Sequence, residues 1–177
     1  IDILINCAGI QYISKIENFP TNEWRKVIDI NLTSSFITSK NIIPVMKKNN
    51  SGRIINISSV HGLVASENKS AYVASKHGLI GLTKAIALEL SKTKITCNAI
   101  SPGWVLTPLV EKQIKKLASK NKTSIEIEKK NLLFEKHPNQ KFVNGKEIAS
   151  LVNFLISKDA QNITGSSYSI DGGWVSV

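Results

Sequence analysis

Three short runs dominated by isoleucine constrain the fold of this chain more than any other feature: IDILIN (1–6), RIINIS (53–58) and KITCNAI (94–100). Near-continuous β-branched residues, without the alternation of a half-exposed strand, fit strands buried on both faces. A fourth strand-like run, SSYSI, occupies 166–170. Between the runs the pattern turns helical. One segment follows Thr21, read as its N-cap, and extends to about residue 48, with Pro44 expected to kink it or end part of it. A second covers roughly 71–91, where Leu79, Leu82, Ile86 and Leu90 fall on one face. A third is the polar stretch from 108 to about 135. A fourth follows Asn144, which precedes Glu147 by three positions as in a capping box. Strands alternating with helices of this length predict an α/β fold around a parallel sheet, organised as a single domain over 1–177.

Composition narrows the class. At 42% hydrophobic and 20% charged, the chain is ordinary for a soluble domain. No apolar run approaches the roughly 20 residues of a membrane span, and no signal peptide opens the chain. Cys7 and Cys97 lie at unrelated positions in apolar runs, which suggests neither a disulfide framework nor a metal site. Both are expected to pack as small buried side chains. A cytoplasmic protein with no membrane partner is the expectation. The net charge of +10, from 23 basic and 13 acidic residues, raises the question of nucleic acid. The lysines are scattered, however, and the densest stretch, EKQIKKLASKNKTSIEIEKKN (111–131), mixes in glutamates, so no nucleic-acid partner is expected. The sequence opens on Ile1 inside a strand pattern, which reads as the later part of a longer protein.

Candidate chemistry gathers at the carboxyl ends of the strands, where parallel sheets bind ligands. NCAG, SSVHG and SPGW each follow a strand directly. In SAYVASKHG (70–78), Tyr72 and Lys76 stand four apart and share a helix face. A phenol is a weak base at neutral pH, and an adjacent ammonium would bring its pKa closer to the working range. By spacing alone the pair is equally a surface tyrosine beside a solvated lysine. Companions change the balance: Ser59 follows a buried strand, and Asn31 sits within a helix, where asparagine needs a hydrogen-bonding or functional reason.

Asn, Ser, Tyr-x-x-x-Lys and N-x-A-G in this order resemble the short-chain dehydrogenase/reductase family. The resemblance covers essentially the whole chain and implies a Rossmann-like, doubly wound parallel sheet, here only its C-terminal portion. It implies Tyr72 as catalytic acid/base, Ser59 (with Ser58 its neighbour) holding the reacting oxygen, Lys76 lowering the tyrosine pKa and binding the nicotinamide ribose, and Asn31 supporting a water relay. The cofactor would lie against Asn6, Ala8, Gly9, Tyr72, Lys76, Pro102, Gly103, Val105 and Thr107. NCAGIQ, SVHGLVASENKSAYVASKHG and CNAISPGWVLTPLVEKQI are similar, more narrowly, to the bacterial D-3-hydroxybutyrate dehydrogenase branch. That likeness implies NAD as cofactor and a small carboxylate substrate held by Gln11, Ser59, His61, Lys69, Tyr72 and Gln113 with Trp104 as a wall, and no metal. Lys69 and His61 bracket the Ser59–Tyr72 loop, as an anion site requires.

The segment 108–140 resembles the family's mobile lid, or else is a solvated helical pair. His77 and His137 receive no role, and Trp174 either packs or reaches a neighbouring subunit. Relatives are commonly tetramers, so a homo-oligomer is implied. Two departures stand out. The glycine-rich turn of the dinucleotide site is absent, with on the order of 80 residues expected ahead of Ile1, so the chain alone is expected to be marginally stable and nearly inactive. Cys7 stands where the family usually has asparagine. A carbonyl reductase acting on 3-oxoacyl substrates, and a non-catalytic remnant or basic interaction module, are the competing readings.

Overall fold

The structure, a computed structural model, describes residues 1–176. Four parallel strands form one sheet in sequential order: β1 (Ile3–Asn6), β2 (Gly52–Ile57), β3 (Ile95–Pro102) and β4 (Ser167–Ile170). Register follows the isoleucine runs, with Ile5 beside Ile55 and Asn56 beside Ala99. Alternate residues of each strand serve opposite faces. Ile54 and Cys97 join Ile42 and Met46 of α2 (Ser34–Lys48) and Ile86, Ala87 and Leu90 around α3 (Ser70–Glu89) in one core. Ile55 and Ile100 join Leu155 of α6 (Gly145–Ile156) in a second. The sheet is therefore covered on both faces, as expected. The exception is β1, expected to be buried: it lies at the sheet edge with Ile3 and Ile5 exposed, and only Leu4 packs on the first core.

The strand order has a topological consequence. Because it is sequential, crossovers of one hand would place every helix on one face. Yet α2 and α3 lie on one face and α6 on the other. The β3-to-β4 connection thus has the opposite hand to the two before it, against the usual right-handed rule. It can do so because it first leaves the sheet through α4 (Pro108–Asn121) and α5 (Ile125–Lys136). Lys122, in the left-handed conformation at φ 54°, separates these two helices within the polar stretch. The excursion is closed at its base by a parallel bridge from Val105 to Val143.

The first helical segment also departs from expectation. Pro20, not Thr21, caps α1 (Thr21–Ile28), and no side chain satisfies the free N–H groups there. Pro44 does not end the helix, which continues to Lys48. The irregularity falls earlier, where a π-turn at Asp29–Thr33 joins α1 to α2. Such bulges often mark functional positions, and this one carries Asn31, fully buried. The capping box at Asn144 and Glu147 is present as predicted.

A polar thread crosses the apolar layers. Thr38 Oγ1 donates to Asn6 Oδ1 (2.7 Å), Asn6 Nδ2 to Asn56 Oδ1 (2.8 Å), and Asn56 Nδ2 to Thr83 Oγ1 (2.9 Å). It ties α2, β1, β2 and α3 into one register. We expect Asn56→Ala to lower stability by about 2–3 kcal/mol, because Asn6 and Thr83 lose their buried partner. A urea midpoint unchanged from the parent would show the thread to be dispensable.

Candidate active site

The carboxyl ends of β1, β2 and β3 open onto a cavity of about 530 Å³. Every side chain expected to hold substrate lines it: Gln11, Ser59, His61, Lys69, Tyr72, Trp104 and Gln113. So do Gly9, Lys76, Pro102, Gly103, Val105 and Thr107 of the expected cofactor set. Three expected residues do not. Asn6 is committed to the thread described above, Ala8 is exposed, and Asn31 is buried behind the wall. The Asn31 amide donates to Ile10 O (2.9 Å) and Ser75 Oγ (3.1 Å), and its carbonyl accepts from Ile10 N (2.8 Å). It fastens the loop after β1 to the helix bearing Tyr72.

Ser58 and Ser59 both line the cavity, and their hydrogen bonds differ. Ser58 Oγ donates to the Lys76 carbonyl (3.1 Å), a structural tie to α3. Ser59 lines the cavity, accepts from the His61 amide (3.2 Å), and is a hydrogen-bonding neighbour of the Tyr72 phenol. Lys76 reaches under Tyr72 and donates to Ile57 O (2.8 Å), with its Nζ 5.7 Å from the phenol ring centre. Burial raises the Tyr72 pKa above its ordinary value, and the Ser59 hydrogen bond pulls the other way. The Lys76 ammonium, expected to lower it, donates to the strand-end carbonyl. Its own pKa is lowered to about 8, chiefly by burial, while Cys7 opposes the fall. Cys7 is exposed on the cavity wall rather than packed in the core, whereas Cys97 is buried as expected.

Lys69 is one of two lysines that line the cavity. It is only 7% exposed, its Nζ lies 4.7 Å over the Trp104 ring, and its pKa is lowered to about 8 by burial and then by Lys136. His61 is a neutral partner rather than a second cation. Burial, Lys69 and Lys136 lower its pKa to about 3, and its ring nitrogens face Ser59 Oγ (3.4 Å) and Ser66 Oγ (3.0 Å). Gln11 Nε2 meets Gln113 Oε1 at 3.4 Å, bringing the loop after β1 to α4. Thr107 lines the cavity while its hydroxyl caps α4 by accepting from Val110 N (3.4 Å).

Several groups in or behind the cavity wall received no firm role from the sequence. His137, given no role, is fully buried; its Nε2 accepts from Trp104 N (2.9 Å) and its Nδ1 donates to Lys141 O (2.8 Å). That pair of bonds fixes the neutral tautomer and pins Trp104. A side chain at Gly103 would collide with His137 Nε2, so glycine is required there. Trp174 packs within its own chain, its ring 5.3 Å from His61, 5.8 Å from Trp104 and 5.7 Å from His137. Ile148, Ala149 and Val152 of α6 supply an apolar wall. Of these, only Trp174 was singled out from the sequence, as a residue that packs or reaches a neighbouring subunit. Among the described residues no His, Cys, Asp or Glu cluster could hold a metal, and no helix is long and apolar enough to cross a membrane.

This geometry can be set beside known proteins. Residues 1–175 match the family described as enoyl-(acyl carrier protein) reductase. D-beta-hydroxybutyrate dehydrogenases of Cupriavidus necator and Rhizobium meliloti are each 51% identical over 98% of the chain, which spans 67% of their length. The 3-oxoacyl-[acyl-carrier-protein] reductase FabG of Buchnera aphidicola is 41% identical over 98% of the chain and 66% of its own length. Among solved structures, aldohexose dehydrogenase of Thermoplasma acidophilum superposes with TM-score 0.93 at 41% identity, over 100% of this chain and 69% of that one. 4-Hydroxyisoleucine dehydrogenase complexed with NADH gives 0.82 at 38%, over 99% and 70%. An actinorhodin polyketide ketoreductase with NADPH gives 0.92 at 32%, over 98% and 67%. Sequence, Rossmann-like parallel sheet and cavity together place this chain in the short-chain dehydrogenase/reductase family of oxidoreductases.

Proposed function

We propose that the site oxidises (R)-3-hydroxybutyrate to acetoacetate with NAD. The observation that carries this reading is Lys69: a nearly buried ammonium inside the cavity, stacked on Trp104, without an acidic partner among the described residues. A buried cation without a counterion favours an anionic ligand. The 51% identity to two D-beta-hydroxybutyrate dehydrogenases supports the same choice.

The residues fit a nicotinamide cofactor. A β-carbon on Gly9 would stand 3.6 Å from Lys76 Nζ and 3.7 Å from Asn31 Oδ1, so glycine keeps open a cradle walled by the lysine. Gly9, Lys76, Pro102, Gly103, Val105 and Thr107 would hold the nicotinamide end, and the bound cofactor would supply the hydride acceptor. Lys69 pairs with the substrate carboxylate, with Gln11, Gln113 and neutral His61 as further hydrogen-bonding groups. Ser59 holds the hydroxyl oxygen, and Tyr72 Oη receives its proton as the C3–H bond breaks. Asn31 positions the loop and helix rather than touching substrate. We read α4–α5, over 108–140, as a lid whose base is fixed by the Val105–Val143 bridge and whose first helix brings Gln113 to Gln11.

The similarity to FabG keeps one other reading in view, a reductase of 3-oxoacyl carrier substrates. Such a substrate has no free carboxylate, so Lys69 separates the two. In a protein that joins this chain to the family's glycine-rich dinucleotide-binding portion, Lys69→Ala should raise KM for (R)-3-hydroxybutyrate about 10–100-fold while leaving the methyl ester unchanged, the loss of one charged hydrogen bond. Equal effects on acid and ester, followed as NADH formation, would favour the reductase. Tyr72→Phe should lower kcat by about 10²–10⁴ with substrate affinity retained.

The pH dependence follows from the same groups. Lys69 binds a carboxylate in its protonated form, and its pKa is about 8. KM for the acid should therefore be flat below pH 8 and rise roughly tenfold per unit above it. His61, neutral above about pH 3, should leave no inflection near its ordinary 6.5. Because the Tyr72 pKa is raised, the oxidation kcat should climb with pH through the neutral range. A KM that rose as pH fell from 8 to 6 would contradict the Lys69 assignment.

A further inference from the structure

Beyond the cavity wall stands a second ammonium. Lys136 is the last residue of α5, and the fully buried His137 that follows is fixed by bonds to Trp104 N and Lys141 O. That anchor sets where Lys136 sits. Its Nζ lies 6.0 Å from the Trp174 ring centre, as Lys69 Nζ lies 4.7 Å from that of Trp104. The two indoles are 5.8 Å apart and only 31° from parallel. One aromatic wall therefore carries two ammonium groups. Among the described residues the single ion pair is Lys129–Glu126, so neither of these cations has an acidic partner.

Two like charges on one weakly solvated wall repel, and an anion bound at either relieves both. We propose that Lys136 is a specificity-determining residue, a second cation that acts across Trp174 on the Lys69 subsite and biases the cavity toward carboxylate-bearing substrates over their neutral esters. The inference rests on the carboxylate reading of Lys69 given above. Lys136 does not line the cavity, so it acts through space and through Lys69. The bland alternative is a lysine that only offsets the negative end of α5, which would affect stability and leave ligand choice unchanged.

Tryptophan fluorescence of the whole chain, with Trp104 and Trp174 as reporters, measures binding without requiring turnover. Lys136→Met should weaken (R)-3-hydroxybutyrate binding about three- to tenfold at low salt, between the effect of a surface pair and that of a buried one. The methyl ester should bind unchanged, the difference should shrink in 0.5 M salt, roughly beyond the screening range, and Lys136→Arg should restore the acid to within about twofold. The groups facing Lys69 are Lys136 and neutral His61, with His77 acting on His61. The alkaline loss of acid binding should accordingly move above pH 8 in Lys136→Met, a shift that mere unfolding would not produce. Equal loss for acid and ester, or no change in either, would overturn the proposal. If the unaltered chain prefers the ester to the acid, the carboxylate reading itself fails, and this inference with it.

Discussion

The site depends on a double tie between the end of β2 and the middle of α3. Lys76 Nζ donates to the Ile57 carbonyl, and Ser58 Oγ donates to the Lys76 carbonyl. The last carbonyls of a parallel strand have no ladder partner, and burying them unpaired is costly. A charged donor from the neighbouring helix satisfies one of them strongly. Because both ends of Lys76 are engaged, the helix cannot rotate about its axis at this level. Tyr72, one turn earlier on the same face, is then held toward the cavity. Gly62 completes the fit: a side chain there would come within 2.8 Å of the Lys76 carbonyl and 2.7 Å of Ile80 Cδ1, so the turn after Ser59 closes on α3 only without one.

That arrangement assigns charge unevenly around the cavity. The same burial pushes Lys76 and Lys69 down to about 8 and holds His61 neutral. It also raises the Tyr72 phenol, which thus stays protonated in this surrounding. A protonated phenol is ready as a general acid; as a base it needs a higher pH. Lys76 is tied to a backbone carbonyl at the cofactor end, and Lys69 is the ammonium that lies against Trp104. Neutral hydrogen-bonding groups then define the rest of the subsite, which suits orientation more than attraction.

Much of this was legible in the sequence because two periodicities carry it. The isoleucine runs marked three of the four strands and their ends, the four-residue spacing of Tyr72 and Lys76 placed both on one helix face, and the family resemblance supplied the lining set around Ser59, His61 and Lys69. What stayed hidden depends on closure between distant segments. Nothing near His137 reveals that its ring accepts from the backbone at Trp104, and nothing near Lys136 or Trp174 reveals their shared wall. Local rules failed where tertiary contacts override them. Pro44 sits within a helix held by packing of Ile42 and Met46, and the π-turn at Asn31 is stabilised by bonds to Ile10 and Ser75. Cys7, in an apolar run, is exposed because β1 is a sheet edge. The Tyr72–Lys76 spacing named the pair correctly but could not show that the ammonium points at Ile57.

The division between folding and chemistry decides which substitutions can be interpreted. The two apolar cores lie on opposite faces of the sheet, and neither includes Gln11, Lys69, Tyr72, Gln113 or Lys136. Changes at those positions leave the cores intact, and their kinetic effects report on the cavity. Lys76 and Ser58 are different, because each fastens α3 to β2 and both also line the cavity. Removing the Lys76 ammonium strands the Ile57 carbonyl and frees the helix, so lost activity would mix misplacement of Tyr72 with any loss of chemistry. The opposite-handed connection makes the same separation at the scale of the fold. By leaving the sheet through α4 and α5 before returning as α6, it puts Gln113 and Lys136 on helices outside both cores. Substrate choice can therefore change on that excursion without repacking the sheet that holds Tyr72 in place.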